Sequence, residues 1–192
     1  MSIKNCAFLF LIIVFVISTA SARAEEPSWL FTVPKSETIK EGHFDIGFIY
    51  LDFGIAKNLE IGIHGIKYRF PDTNIAIGAS ILPIGSPYLV FSPDIGEAEL
   101  HIGVKAQPYI FFAGIEVPIS DNMKFIAELN NGPTAGIRII PQKNLTIDLF
   151  MYFYLYEIYN VDYYGYKYRQ IKKVEDYSAR PWIWIAYSGK FE

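Results

Sequence analysis

The sequence lacks most of the residues that would support redox chemistry or nucleotide binding. It has 192 residues with a single cysteine, Cys6, and only three histidines. One cysteine excludes an intramolecular disulfide framework. A Gly-x-Gly-x-x-Gly pattern, the usual glycine-rich cradle for a phosphate, does not occur after residue 24. No cofactor is therefore expected.

Charge is also scarce, whereas aromatic residues are abundant. Charged residues make up 19% of the chain, aromatic residues 17%, and the formal net charge is −3. A mildly acidic chain offers no basic surface to nucleic acid, so no nucleic-acid partner is expected. So apolar and aromatic a composition is unusual for a soluble domain of this size. We expect part of the apolar surface to need a non-aqueous neighbour.

The one long apolar run, 7–17, follows Lys4 and precedes the small residues that end at Ala24. This order is typical of a signal peptide, and the run is too short to cross a bilayer as a helix, which needs about 20 residues. We expect residues 1–24 to be cleaved and 25–192 to form a single domain. Cleavage would remove Cys6, and the formal charge would change from −3 to −5 because Lys4 and Arg23 are lost.

From Phe44 onward, apolar residues recur at every second position, as in β-strands. Turn residues separate these stretches, for example at 54–57 and 130–133, and predict about ten strands, within a range of eight to twelve. The apolar phase flips at Gly65, which predicts a glycine bulge. The segment 158–179, rich in tyrosine and lysine, is predicted to be a long loop or an extended hairpin.

Two architectures fit this alternation, a membrane barrel and a soluble sandwich. The apolar face is almost purely aliphatic and aromatic, while the opposite face mixes small residues with isolated charges, which suits the crowded inside of a narrow barrel. We therefore predict an all-β, antiparallel, up-and-down transmembrane β-barrel in a bacterial outer membrane, with membrane lipid as a partner. The alternative is a periplasmic or secreted β-sandwich that binds a ligand through its aromatic residues.

The end of the chain resembles the C-terminal signature by which outer-membrane barrels are recognised for insertion. Ile183, Ile185, Tyr187, Gly189 and Phe191 alternate there, although Glu192 follows the final aromatic residue. This resemblance implies the barrel-insertion machinery as a second partner. For the 158–179 segment we favour an ordinary solvated loop; the alternative is that it contacts a polysaccharide or an envelope protein.

Eleven ionisable residues are predicted to face the inside of the barrel. We expect them to form an ion-pair network that fixes strand register, because buried charges persist only when partnered. The alternative is a polar conduit for a small solute, although a barrel of about ten strands is filled by side chains and excludes a general pore. The residues are Asp45, Glu60, His64, Glu99, His101, Lys105, Glu116, Lys124, Glu128, Arg138 and Asp148.

The sequence favours a non-enzymatic role. His43 shares a face with Asp45, and His101 lies two residues from Glu99, but no serine stands at strand spacing from either histidine. Two histidines at strand spacing with a carboxylate, which would indicate a metal site, are also absent. A small barrel hydrolase acting on envelope lipid is the third reading, after the barrel and the sandwich.

Several short phrases over about residues 40–155 resemble the YjbH-like outer-membrane proteins linked to exopolysaccharide production. They are Phe53-Gly54-Ile55, 57–62 (Lys-Asn-Leu-Glu-Ile-Gly), Ala113-Gly114-Ile115-Glu116, 126–130 (Ile-Ala-Glu-Leu-Asn) and Ala135-Gly136-Ile137-Arg138. The resemblance implies a barrel with a structural or accessory role near polysaccharide export. It supplies no catalytic residues.

Overall fold

The computed structural model describes residues 27–47, 51–80, 86–106, 111–130, 132–160 and 172–191, with side chains left out at 154–160 and 172–178. The described part of the chain contains thirteen strands. They are β1 (His43–Gly47), β2 (Leu51–Ala56), β3 (Leu59–Gly62), β4 (Gly65–Arg69), β5 (Ile75–Ser80), β6 (Ser86–Phe91), β7 (Asp94–Ile95), β8 (Ala98–Lys105), β9 (Phe111–Ser120), β10 (Met123–Leu129), β11 (Pro133–Gln142), β12 (Leu145–Asn160) and β13 (Lys172–Lys190).

Twelve of these strands form one closed antiparallel sheet. Each pairs with its neighbours in sequence, β1 pairs with β13, and β6 pairs with β8 from Tyr88↔Lys105 to Phe91↔Ile102. The two-residue strand β7 pairs only with the start of β8 in the described sheet. Closure leaves no sheet edge in the ring, which is the defining property of a barrel. The all-β, up-and-down barrel is thus confirmed, and the described strands belong to one sheet and not to two packed sheets.

The barrel has twelve strands, whereas ten were favoured from the sequence. One reason is a turn that the alternation did not reveal. Gly62 pairs with Gly65, so Ile63 and His64 form a two-residue turn between β3 and β4. The bulge predicted at Gly65 is therefore wrong: a hairpin turn and a bulge shift the apolar phase in the same way. Gly65 has φ +121°, and a Cβ there would lie 1.9 Å from the Ala79 carbonyl oxygen.

The second reason is β2, which was missed. The sequence predicted a turn over 54–57, but Gly54 lies within β2, and the turn is at Lys57 and Asn58. Asn58 takes the left-handed conformation with φ 66°, a common role for asparagine. A Cβ on Gly54 would lie 2.1 Å from the Lys40 carbonyl oxygen, so glycine is needed here for close approach.

The predicted segment 158–179 is in part a hairpin. Strand β12 continues to Asn160 and β13 begins at Lys172, with pairs such as Ile158↔Val174 and Asn160↔Lys172. The remainder of that segment, 161–171, lies outside the described residues, as do the predicted signal peptide and Glu192.

Both ends of the barrel chain meet at one mouth, which we call the terminal mouth. Gly42 precedes β1, Phe191 follows β13, and the Phe191 amide donates to the Gly42 carbonyl at 2.8 Å. The short turns 57–58, 121–122 and 143–144 lie at this same mouth, because each follows a strand that runs toward it. Among the described residues, no helix is long and apolar enough to cross a membrane.

The strands alternate sharply between the two faces. In β6 the side chains are buried and exposed in strict alternation, with Tyr88 and Val90 inside and Leu89 and Phe91 outside. Large apolar side chains cover the outside, while charged side chains such as Lys67 and Arg138 are almost fully buried inside. Both features are unusual for a soluble protein, although apolar side chains such as Phe112 and Ile126 are also buried inside.

Candidate functional site

The barrel lumen is occupied by the chain's own residues 27–39, here called the plug segment. Leu30, Phe31 and Val33 are at most 1% exposed. The segment folds back on itself as a small hairpin, in which the Leu30 amide donates to the Val33 carbonyl at 2.9 Å and the Lys35 amide donates to the Ser28 carbonyl at 3.1 Å. It is not a strand of the barrel sheet. The lumen therefore holds a peptide in contact with the inner wall.

Glu128 on β10 binds the tip of the plug segment. Its carboxylate accepts hydrogen bonds from the amides of Phe31, Thr32 and Val33 at 2.9 to 3.2 Å, and from the Thr32 hydroxyl at 2.6 Å. Three successive amides directed at one anion form a small nest. These donors satisfy a carboxylate that is only 5% exposed.

Two cations bind carbonyl groups of the same segment. Arg138 on β11 donates through Nη2 to the carbonyls of Trp29 and Leu30, both at 3.1 Å, and forms a two-point ion pair with Asp148 at 2.8 and 2.9 Å. Lys67 on β4 donates to the Ser28 carbonyl at 2.9 Å. The wall thus presents an anion to the amides of the plug segment and cations to its carbonyls.

Glu60 on β3 joins the two legs of the plug hairpin. One carboxylate oxygen accepts from the Ser28 hydroxyl at 2.8 Å, and the other accepts from the Ile39 amide at 3.0 Å. Lys67 lies 3.3 Å from Glu60 and balances its charge. Because Ser28 and Ile39 lie at the same level and Ile39 leads toward Gly42, both legs run toward the terminal mouth.

Lys35 reaches a carboxylate cluster on β8 and β9. Its Nζ lies 2.6 Å from Glu116 and 3.9 Å from Glu99, and Lys124 lies 3.2 Å from Glu116. Glu99, His101 and Glu116 each place one possible ligand atom within 4.8 Å of the others, a donor set that could hold a cation. Lys35 already supplies a positive charge there, so the cluster needs no metal for charge balance.

A serine, a histidine and a glutamate also form a chain of hydrogen bonds at this cluster. The Ser92 hydroxyl lies 2.8 Å from His101 Nδ1, and His101 Nε2 lies 3.2 Å from Glu116. A hydrolase uses such a relay to activate the hydroxyl. Here Ser92 and His101 are at most 1% exposed, and the Ser36 amide donates to the Ser92 hydroxyl at 2.9 Å. The plug segment therefore covers the only oxygen that could act as a nucleophile in this set.

Glu37 belongs to the plug segment and has unusual electrostatics. Burial acts to raise the pKa of its carboxyl, but the Lys35 ammonium opposes this most strongly, with help from His101 and Arg69. The pKa of Glu37 is consequently lower than its ordinary value. The ionised form of Glu37 is thus favoured while the plug segment occupies the lumen.

Aromatic and small wall residues shape the lumen around the plug side chains. Phe31 stacks on Phe150, with ring centroids 4.3 Å apart, and meets Trp184 edge-on. Trp29 stacks on His64 at 4.7 Å. These contacts give the lumen pockets for particular side chains in addition to its contacts with the main chain.

All eleven predicted interior residues lie on the inward-facing side of the wall. Seven are buried, namely Asp45, Glu60, His101, Glu116, Glu128, Arg138 and Asp148. The other four, His64, Glu99, Lys105 and Lys124, are half-buried. His64 lies 2.5 Å from Asp52, and Lys105 donates to Asn130. From the sequence, these residues are expected to pair with one another. Several of them also contact the plug segment, so the network is not confined to the wall.

The plug segment and two charged wall residues, Asp52 and Lys67, were not predicted from the sequence. The segment lacks the alternation of a strand, although Trp29, Leu30, Phe31 and Val33 lie between Pro27 and Pro34 and could have suggested a short buried turn. Lys67 was on the polar face of the predicted pattern but was not included in the interior set. The cluster at Glu116 was also missed, because its members come from separate strands.

Comparison of the chain with protein-family models, curated proteins and solved structures finds no match. The resemblance to YjbH-like proteins therefore stays a prediction.

Proposed function

We propose that this chain is an outer-membrane β-barrel, closed by its own plug segment, with a structural or accessory role in the cell envelope. The single observation that carries the proposal is the outer face. Among the described residues, 25 large hydrophobic side chains are 37% to 73% exposed. Soluble monomers rarely expose so large an apolar surface, whereas a bilayer accepts it directly.

The topology supports the same proposal. The barrel has an even number of strands with both ends at one mouth, and three of the five connections at that mouth are two-residue turns. This is the usual form of bacterial outer-membrane barrels, whose short turns face the periplasm. We therefore place the terminal mouth in the periplasm. The β12–β13 hairpin then extends toward the outside of the cell, where it could contact polysaccharide or another envelope protein.

The occupied lumen favours a closed barrel over a conduit. The plug segment binds charged side chains on several strands, including Glu116 through an ion pair and Glu128 and Arg138 through hydrogen bonds. In this state a small solute would have to displace it. A role near exopolysaccharide production or export is proposed on the YjbH-like resemblance, and cells lacking the protein should then secrete altered amounts of polysaccharide.

Fractionation tests the location. The mature protein should appear in the outer-membrane fraction, require detergent to stay monodisperse, and run faster on gels before boiling than after. Recovery of a monodisperse protein in the periplasmic wash, without detergent, would contradict the membrane proposal and favour a soluble ligand-binding barrel.

A hydrolase acting on envelope lipid is the second candidate, favoured only by the Ser92, His101 and Glu116 relay. Hydrolysis of ester-containing envelope lipids by the wild-type protein, lost in Ser92→Ala and in His101→Gln, would establish it. Unchanged lipid in the presence of wild-type protein would leave the non-enzymatic role as the proposal.

A further inference from the structure

We propose that the barrel lumen is a peptide-binding site, that the plug segment is its resident ligand, and that a peptide of another chain, with a matching sequence and the same hairpin conformation, replaces it. The inference rests on the part of the proposed function in which residues 27–39 close the lumen. It does not depend on the membrane location.

The first argument is that wall side chains bind the main chain of the segment. Side chains of the wall and its connecting turns contact nine backbone groups, five amides and four carbonyls. The amides belong to Phe31, Thr32, Val33, Ser36 and Ile39, and the carbonyls to Ser28, Trp29, Leu30 and Thr32. Main-chain groups are common to every peptide, so these contacts would also be available to a segment of another chain.

The second argument is that the wall also selects side chains. Phe31 stacks on Phe150 and meets Trp184 edge-on, and the Lys35 ammonium lies 2.6 Å from Glu116. The ligand class is therefore a hairpin-forming peptide that bears a bulky aromatic residue and, four residues later, a lysine or arginine. An apolar residue immediately before the aromatic one completes the pattern, because Leu30 packs against Gly114.

The third argument is that the plug segment can leave the lumen without any part of the chain having to pass through the barrel. It enters as a hairpin whose two legs run to the terminal mouth, and the barrel sheet is paired without it. Its departure would remove the three amides that bind the buried Glu128 carboxylate. Buried charges without partners are costly, so a vacated lumen would favour uptake of another peptide or of water.

The test uses the full mature chain in detergent micelles and a synthetic peptide of residues 27–40 labelled at its N-terminus. Lys35→Glu in the protein weakens the resident segment, because it places a carboxylate against Glu116 and Glu99. We expect saturable binding of the labelled wild-type peptide to this variant, at least tenfold tighter than to the wild-type protein. A peptide carrying Lys35→Glu should bind neither protein.

A cross-link locates the bound peptide. A peptide with Thr32→Cys should form a disulfide with a Lys35→Glu, Asn130→Cys protein, because Asn130 donates to the Thr32 hydroxyl at 3.2 Å. The matched control is Lys35→Glu with Leu129→Cys, whose side chain is 58% exposed on the outer face. Equal cross-linking at both positions would overturn the proposal.

Absence of saturable binding to a folded Lys35→Glu protein would also overturn it, as would equal binding of a scrambled peptide. Ion conductance of the variant without peptide binding would instead show that the vacated lumen is a conduit. If Lys35→Glu loses the heat-modifiable gel shift, Leu30→Ala, which keeps every charge, replaces it in the same experiment. The membrane proposal is tested by a different measurement, namely whether the wild-type protein needs detergent to stay monodisperse.

Discussion

Glu128 binds Thr32 at three points: its two carboxylate oxygens lie 2.9 and 3.1 Å from the Thr32 amide, and one of them accepts the Thr32 hydroxyl at 2.6 Å. The two residues are 96 positions apart in sequence, so this contact attaches the plug segment to β10, a strand distant from it in the chain. It makes the segment part of the folded structure.

Replacement of Glu128 should release the tip of the plug segment. Glu128→Ala leaves three amides without their acceptor, and we expect it to lower the free energy of unfolding by about 3 kcal/mol. Urea titration followed by tryptophan fluorescence measures the change. The control is Glu97→Gln at an exposed site, which should change stability by less than about 0.5 kcal/mol. Equal effects of the two substitutions would mean that Glu128 does not hold the segment.

Gly114 on β9 makes room for Leu30, since a Cβ there would lie 2.3 Å from Leu30 Cδ1. Gly114→Ala should cost about 1–3 kcal/mol through overpacking. Leu30→Ala should cost about 2–5 kcal/mol through the cavity it leaves. The double variant should lose clearly less than the sum of the two, because each change relieves the other. If the loss of stability in the double variant equals the sum of the two single losses, Leu30 and Gly114 are not in contact. The plug segment would then not lie against β9.

A disulfide should form between the plug segment and the wall in the intact protein. Thr32→Cys with Asn130→Cys joins two contacting side chains, and the mature chain is otherwise free of cysteine if Cys6 is removed with the leader. We expect spontaneous oxidation and a gel shift that reductant reverses. Thr32→Cys with Leu129→Cys is the matched pair, and its sulfur atoms should stay reduced because residue 129 faces outward.

These experiments concern the part of the molecule that the sequence did not predict. Period-two alternation identified the barrel and the inner charges because each strand has one face in the lumen and one outside, so facing is a local property. Strand count was less accessible, since the turn at Ile63 and His64 changes the apolar phase as a bulge would. The plug segment could not be predicted from alternation, because its partners, such as Glu128 and Arg138, are distant in sequence.

Acid should weaken the seating of the plug segment through Glu37. Burial acts to raise the pKa of Glu37 in the folded protein, but the Lys35 ammonium, a backbone hydrogen bond, His101 and Arg69 together more than offset burial, so the pKa is lowered. A lowered folded-state pKa contributes stability above the unfolded-state pKa, and this contribution is lost as pH falls through the folded-state value. Stability in urea should therefore fall more steeply on acidification in the wild type than in Glu37→Gln. Parallel pH profiles of the two proteins would exclude Glu37 as a contributor.

A charge on the outer face tests the proposed bilayer. Ile102 lies in the middle of β8 and is 42% exposed, and Ile102→Arg should destabilise the barrel in lipid vesicles by about 2–4 kcal/mol if its position is near the membrane midplane. Ile95→Arg is the matched control, because Ile95 is 57% exposed in the short strand β7 near the terminal mouth. There the cost should be about 1 kcal/mol or less. The equilibrium stability of each variant in vesicles is compared with that of the wild type. Equal, small effects at the two positions would mean that water, and not lipid, covers the middle of the wall.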